Sequence, residues 1–195
     1  MTRFDRITVN NMLTGRAGER ALRAVKDYPL SDADIRNLLG RNIKIWVYPQ
    51  LKTLSSIDDL FDDQGRAILL FPTESKTSGH WTALIRHPSY IEFFDPYGDG
   101  PDDGQSDGMS EERVRALEVD RPYLTRLLRE SGLPVYYNHH AFQRTSPDVN
   151  TCGRHCVTRL YFSKLSLDDY TKVLTSSKLT PDDFVSGVVF SKIRR

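Results

Sequence analysis

The chain has 195 residues, enough for one domain with a real apolar core and no covalent staples. Hydrophobic residues make up 38% and charged residues 27%, an ordinary soluble balance, and the formal charge of +1 gives no whole-chain reason to bind nucleic acid or an anionic membrane. No apolar run approaches a bilayer span and the first residues, MTRFDRITVNN, lack the apolar stretch of a secretory signal, so a soluble protein made inside a cell, with no membrane partner, is expected.

In chain order, Met1 to Gly18 has weak periodicity and reads as a flexible arm on a single domain covering residues 1–195. Ala21, Leu22 and Val25 have helical spacing over 18–26. Basic clusters at Arg16, Arg20, Arg23 and Lys26, and at Lys192, Arg194 and Arg195, read as solvated faces. Ser31, with Asp34 three residues on and Gly40 at the end, predicts a capped helix. Ile43 to Tyr48 alternates like a strand and ends at Pro49; Ser55 or Ser56 caps a short helix through Phe61. Ala67 to Phe71 is uniformly apolar, which suits a strand buried on both faces.

Strands over Trp81–Arg86 and Tyr90–Phe94 flank a turn at His87-Pro88-Ser89. Gly98 to Gly108, rich in Gly, Asp and Pro, predicts an exposed loop, and Pro101 removes the oxygen ligand a calcium loop would need there. Two helices follow, over Ser110–Leu117 and from Pro122 at the first helical position to just before Gly132. Val135 to Phe142 reads as a last strand. Helices then run over Thr151–Lys164, Ser166–Leu174 with a Ser166 cap, and Pro181–Phe190 with a Thr180 cap. Helices, then strands, then helices imply an α+β layer architecture.

Chemistry concentrates at three places. His80 and Asp95 are symmetric about the gap between His87 and Pro88, so a two-residue turn there would set them directly opposite on one face. Pro88 disfavours the positive-φ turns such hairpins use, so a slip of a residue or two is allowed for. Opposed or diagonal, the pair lies within about 5–8 Å between Cβ atoms, and the carboxylate would hold the imidazole tautomer. Cys152 opens a helix behind capping residues Asp148 to Thr151, where unpaired N–H groups and the peptide dipoles favour a thiolate; Gly153 lets a substrate backbone approach. Alone, each feature has a bland reading, a cross-strand contact or a small buried thiol. In one chain they point to a cysteine peptidase. Only two cysteines occur, Cys152 and Cys156, and no disulfide framework is expected.

Gly79-His80-Trp81, Phe94-Asp95-Pro96-Tyr97-Gly98, a glutamine on the last strand and Cys152-Gly153 together resemble the adenain/ubiquitin-like-protease superfamily, over about Ile68 to Phe162. The order His, Asp, Gln, Cys distinguishes that group from papain. The resemblance implies a papain-like α+β fold, a central, mostly antiparallel sheet flanked by helices with the nucleophile at a helix N-terminus, and no cofactor or metal. It implies Cys152 as nucleophile, His80 as general base and acid, Asp95 as the group orienting His80, and Gln143 as the oxyanion donor. Gln143 lies further upstream of Cys152 than is usual in the family. A longer loop over Thr145–Val149 would absorb the difference, with Asn150 or Asn138 as alternatives. Trp81 would wall the substrate channel beside Gly153, or else be a core aromatic; Cys156 is structural.

No Trp-Leu-Asn-Asp-like segment of the SUMO-specific enzymes is found, and the layout looks more like the maturation proteases of double-stranded DNA viruses, virophages and polinton-like elements. That implies a monomeric endopeptidase cleaving capsid or core precursors near Gly-containing sites, in the host cytoplasm or nucleus and packaged in the virion, with a peptide or DNA activator left open. The alternative is an isopeptidase acting on ubiquitin- or SUMO-like conjugates. A reading of another class groups Cys152, His155 and Cys156 with His139 or His140 as a zinc-binding interaction module, and leaves His80 and Asp95 without a purpose.

Overall fold

The computed structural model describes residues 26–104 and 106–193. The predicted arm over 1–18, the helix over 18–26 but for its last residue, and the basic residues Arg16, Arg20, Arg23, Arg194 and Arg195 lie outside the described residues. The described residues divide into two compact units, Arg41–Ala141 and a second formed by those up to Gly40 with those from Phe142 onward.

The first unit carries a five-stranded sheet in sequential order: β1 (Lys44–Val47), β2 (Arg66–Ser75), β3 (Ser78–Arg86), β4 (Ile91–Phe94) and β5 (Val135–Tyr137). The three middle strands are antiparallel, while β1 pairs parallel to β2 and β5 parallel to β4. The α+β class therefore holds, with a mixed sheet that is antiparallel at its centre. Tyr48 leaves the predicted first strand and, with Pro49 in its first turn, opens a 3-10 helix over Tyr48–Thr53; Ser56 caps another over Ile57–Leu60. Successive strand residues face opposite ways. One face, with Ala67, Leu69, Phe71, Leu84 and Phe93, forms a core with Leu51, Leu60, Leu124 and Leu127. Each such leucine or phenylalanine side chain contributes about 1.5–3 kcal/mol by leaving water. Residues of the other face, Ile68, Leu70, Trp81, Ala83 and Phe94, are also buried, as the unbroken apolar run predicted.

Ser110 caps α2 (Glu111–Ala116), its Oγ accepting from Arg113 N at 3.2 Å. In α3 (Tyr123–Glu130) Pro122 is the N-cap rather than the first helical residue, and no side chain of its own caps the helix. The first-turn N–H groups are satisfied from afar: Tyr48 Oη accepts from Tyr123 N at 2.8 Å and Asp102 Oδ2 from Thr125 N at 2.7 Å, while Asp102 Oδ1 accepts from Tyr48 Oη at 2.6 Å. The predicted exposed loop is thus exposed only in part. Gly100 is buried and Asp102, at φ 64, is half-buried and committed to α3.

In the second unit, α1 (Asp32–Leu39) has the predicted capping box: Ser31 Oγ accepts from Asp34 N at 3.2 Å, Asp34 Oδ2 from Ser31 N at 2.9 Å, and Gly40 closes it at φ 101. Ser166 caps α5 (Leu167–Thr175) and Thr180 caps α6 (Pro181–Ile193), as expected from their spacing. Between them in importance stands α4 (Cys152–Tyr161), which packs against α1 and α6 and whose residues Gly153 to Leu160 are all buried.

Candidate active site

In the sheet unit, the β3–β4 register pairs Arg86 with Ile91 and Ala83 with Phe94. His87 N donates to Tyr90 O at 2.9 Å, which leaves Pro88 and Ser89 as the loop, neither with positive φ. The turn is therefore centred one residue later than the symmetric reading assumed, because Pro88 cannot take a primed turn. Extending that register sets Asp95 across from Thr82, diagonal to His80 on the same face. The directly opposed arrangement is corrected to the diagonal one. His80 Nε2 lies 2.9 Å from Asp95 Oδ1, with the carboxylate fully buried and the imidazole largely so. A carboxylate can only accept, so Nε2 carries the hydrogen and a neutral ring keeps its lone pair on Nδ1.

The sequence Asp95-Pro96-Tyr97-Gly98 folds as the turn that aims this carboxylate. Asp95 Oδ1 also accepts from Tyr97 N at 2.7 Å, and Gly98 N donates to Asp95 O at 2.9 Å. Gly98 sits at φ 85, and a Cβ there would lie 3.0 Å from the His140 carbonyl carbon. The Tyr97 ring stacks on His80, centroids 4.8 Å apart and planes at 21°. Gly79 is equally constrained: a Cβ would run into the Phe71 carbonyl oxygen beside the β2 bulge, so only glycine lets β3 pass there into His80.

Asn138 holds the far side. Its Oδ1 accepts from Asp95 N at 3.0 Å and its Nδ2 donates to Asp95 O at 2.6 Å and to His140 O at 3.1 Å. The side-chain amide continues the β4–β5 ladder after β5 has ended. Both its amide hydrogens are used, so Asn138 is withdrawn as an oxyanion donor. Burial and the neighbouring Asp95 charge push the Asp99 carboxyl up, against a smaller opposing effect of His80. Trp81 is 7% exposed, across from Leu70 on the face opposite His80.

In the helical unit, Cys152 is the first residue of α4 and is half-buried, Gly153 behind it is buried, and Cys156 is wholly buried; neither cysteine is in a disulfide. The expected side-chain cap is absent: Thr151 is the N-cap, but its Oγ1 donates to Asp182 Oδ1 instead of receiving an α4 N–H. Asp182 is a hub. Its Oδ1 also faces His155 Nε2 at 3.0 Å, and its Oδ2 accepts from Arg144 N at 3.1 Å. Burial raises the Asp182 carboxyl, but the bonds from His155 and Thr151 outweigh it and hold the group below its ordinary 3.8.

Gln143 is not on a strand, since β5 stops at Tyr137. It lies in an irregular segment of the helical unit, 5% exposed, with Nε2 donating to Val149 O at 3.2 Å. Asn150 Nδ2 donates to Asp27 O at 3.2 Å. Arg154 is buried; burial lowers its guanidinium to about 10, against the raising effect of Cys152 and Asp34, so it stays charged at neutral pH.

The structure thus brings His80 and Asp95 together in one unit and places Cys152, Gly153 and Gln143 in the other. Tyr97, Asp182 and Arg154 have no role in the sequence pattern, and Asn138 enters it only as an alternative oxyanion donor. Tyr97 stood inside a quoted motif, whereas nothing local marks Asp182 as reaching α4. Among the described residues no group of three His, Cys, Asp or Glu side chains could hold a metal ion, and His155 of the proposed zinc set is engaged by Asp182.

No protein-family model matches the chain. Among solved structures it is similar to the central domain of the uncharacterized Lpg1148 protein from Legionella pneumophila, at 17% identity over 86% of this chain and 99% of that one, with a TM-score of 0.42. It is also similar to the C-terminal Ulp1 protease domain solved in complex with Smt3, the yeast ortholog of SUMO, at 13% identity over 100% of this chain and 97% of that one, with a TM-score of 0.35. In sequence it is 33% identical over 177 residues to the uncharacterized protein V9 of Sputnik virophage, covering 87% of this chain and 98% of that protein. The chain belongs to the family of the Sputnik virophage protein V9.

Proposed function

We propose that this protein is a cysteine peptidase that cleaves capsid or core precursors during particle maturation. The observation that supports it most is the buried His80–Asp95 pair, bonded through Nε2 at 2.9 Å so that Nδ1 is the nitrogen left for proton transfer. A half-buried thiol at the first residue of α4, with no side chain capping the helix, is the second part. The virophage relative supports the viral setting.

In this reading the Cys152 thiolate attacks the scissile carbonyl carbon, and His80 Nδ1 takes the thiol proton and gives it to the departing amine. Asp95 keeps the ring oriented and favours its charged form. Water, deprotonated by His80, then releases the acid and restores the thiol. The tetrahedral oxyanion is held by the Gln143 side-chain amide and by the N–H at the α4 start. A substrate with glycine beside the cleaved bond lets its backbone pass close to Gly153.

The test is co-expression with the capsid precursor of the same genome and mass spectrometry of new termini. Cys152→Ala and His80→Ala are expected to abolish cleavage, by roughly a thousandfold or more, with the fold intact, while Cys156→Ala stays active. Activity lost in Cys156→Ala and kept in Cys152→Ala would overturn the assignment. Rapid labelling of Cys152 by a ubiquitin or SUMO vinyl sulfone, with precursors uncut, would make it an isopeptidase.

A further inference from the structure

Arg154 is a charged side chain buried to 2% exposure in the first turn of α4. Its Nη1 donates to two carbonyls, Tyr28 O at 2.6 Å and Asn150 O at 3.1 Å, and its Nε is buried with no acceptor. Among the described residues no carboxylate forms an ion pair with it. The Asn150 carbonyl precedes Thr151 and Cys152, so the guanidinium bends back to the same end of α4 as the thiol.

This placement runs against two rules. A cation at a helix N-terminus meets the positive end of the peptide dipoles, and a buried charge without a counter-ion is costly. The groups that act on it electrostatically are Cys152, Asp34 and Tyr28. Asp34 is committed to the α1 capping box, accepting from Ser31 N and Ser31 Oγ, and Tyr28 offers its carbonyl dipole and a phenol bonded to Asp34. Among the described residues that act on it, the one remaining group that can bring a negative charge is the Cys152 sulfur.

We propose that Arg154 is the counter-charge of the Cys152 thiolate, a positioning residue that keeps the nucleophile ionised before any imidazole acts. It rests on the nucleophile assignment above and adds to it: the thiol is activated from within its own helix, and His80 is then needed chiefly to protonate the leaving amine. The thiol proton is lost to water and His80 takes one from water before giving it to the leaving amine, so protons balance. The attacking sulfur carries the electron pair that Arg154 has stabilised, and no oxidant or cofactor enters.

The experiment needs no substrate. In Cys156→Ser, which leaves one thiol, the rate of Cys152 alkylation by iodoacetamide is followed by intact mass from pH 5 to 10. Arg154→Gln is expected to react roughly tenfold more slowly at pH 6 and to converge with its parent at the alkaline end, while Arg154→Lys stays near the parent. Adding His80→Ala to each chain leaves the difference in place. Superimposable profiles for parent and Arg154→Gln would overturn the proposal. If Arg154→Gln fails to fold, the parent itself decides. A buried counter-charge predicts a rate at pH 6 that changes less than about twofold between 0.05 and 1 M salt, and a steep fall would overturn it. A chain that cleaves no precursor yet shows the Arg154 dependence loses only the peptidase reading; a peptidase without it loses only this proposal.

Discussion

The Asp95 carboxylate is used on one side only. Oδ1 takes both His80 Nε2 and Tyr97 N, whereas Oδ2 is buried and takes no hydrogen bond from the protein. An asparagine can keep its oxygen where Oδ1 stands and put its amide where Oδ2 stands. Asp95→Asn is therefore expected to fold normally and hold the ring, losing only the negative charge, and Asp95→Ala to lose orientation as well. Measured as kcat/KM on a cleaved peptide, Asn should be impaired by roughly ten- to a hundredfold and Ala by about tenfold more; equal losses would mean that the charge alone matters. The residues of this pair were legible because Asp-Pro-Tyr-Gly is a local device: an Asx acceptor, a fixed φ and a glycine at positive φ in four consecutive positions. Arg154 was not legible. Its importance lies in the carbonyls it reaches and in the missing ion pair, neither of which spacing encodes.

Elements with local caps were read almost to the residue. Ser31, Ser166 and Thr180 each satisfy an N–H of their own helix, so the information is contiguous. The failures share a cause, a partner distant in sequence. Alternation over 135–142 continues a strand pattern, yet the chain leaves the sheet at Tyr137 because the Asn138 side chain takes over the next hydrogen bonds. That misplaced Gln143. Likewise α4 begins without a side-chain cap because Thr151 is drawn to Asp182, an α6 residue. Asp182 joins Thr151, the residue before Cys152, to His155 one turn later and to Arg144 beside Gln143. Its native value is depressed, so the stability it contributes is fully present above its ordinary 3.8 and is lost as pH falls through the native value. Asp182→Asn is expected to be less stable at pH 7 by on the order of 2–4 kcal/mol and to show a shallower decline below about pH 4 in urea titrations. An unchanged acid limb would remove Asp182 from this role.

At the scale of the molecule, the order of elements was sufficient for the α+β class, but not for the directions of the outer strands. Parallel pairing of β1 with β2 and of β5 with β4 depends on how the 3-10 helices, α2 and α3 carry the chain across the sheet, which strand patterning alone does not record. Charge is a property of the whole chain that needs no fold. At +1 overall, nucleic acid has little to attract it. The rate of Cys152 alkylation at physiological salt is expected to change by less than about twofold on adding duplex DNA; a large acceleration would reveal a polyanion-dependent enzyme.

The loop after Gly98 carries a further lesson for anyone rebuilding this chain. Asp102 lends its carboxylate to Tyr48 and to the start of α3, while Asp95, at the other end of the same short stretch, holds His80. Composition marks the whole segment as a free connector, the natural place to graft a tag or a reporter. Its two halves are not equivalent. A graft among the exposed residues Asp103, Gly104, Asp107 and Gly108 leaves both anchors where they are, whereas one between Gly98 and Asp102 cuts the tie between a helix cap and the acid beneath the imidazole. The stretch behaves as a strut, and its length is part of the site.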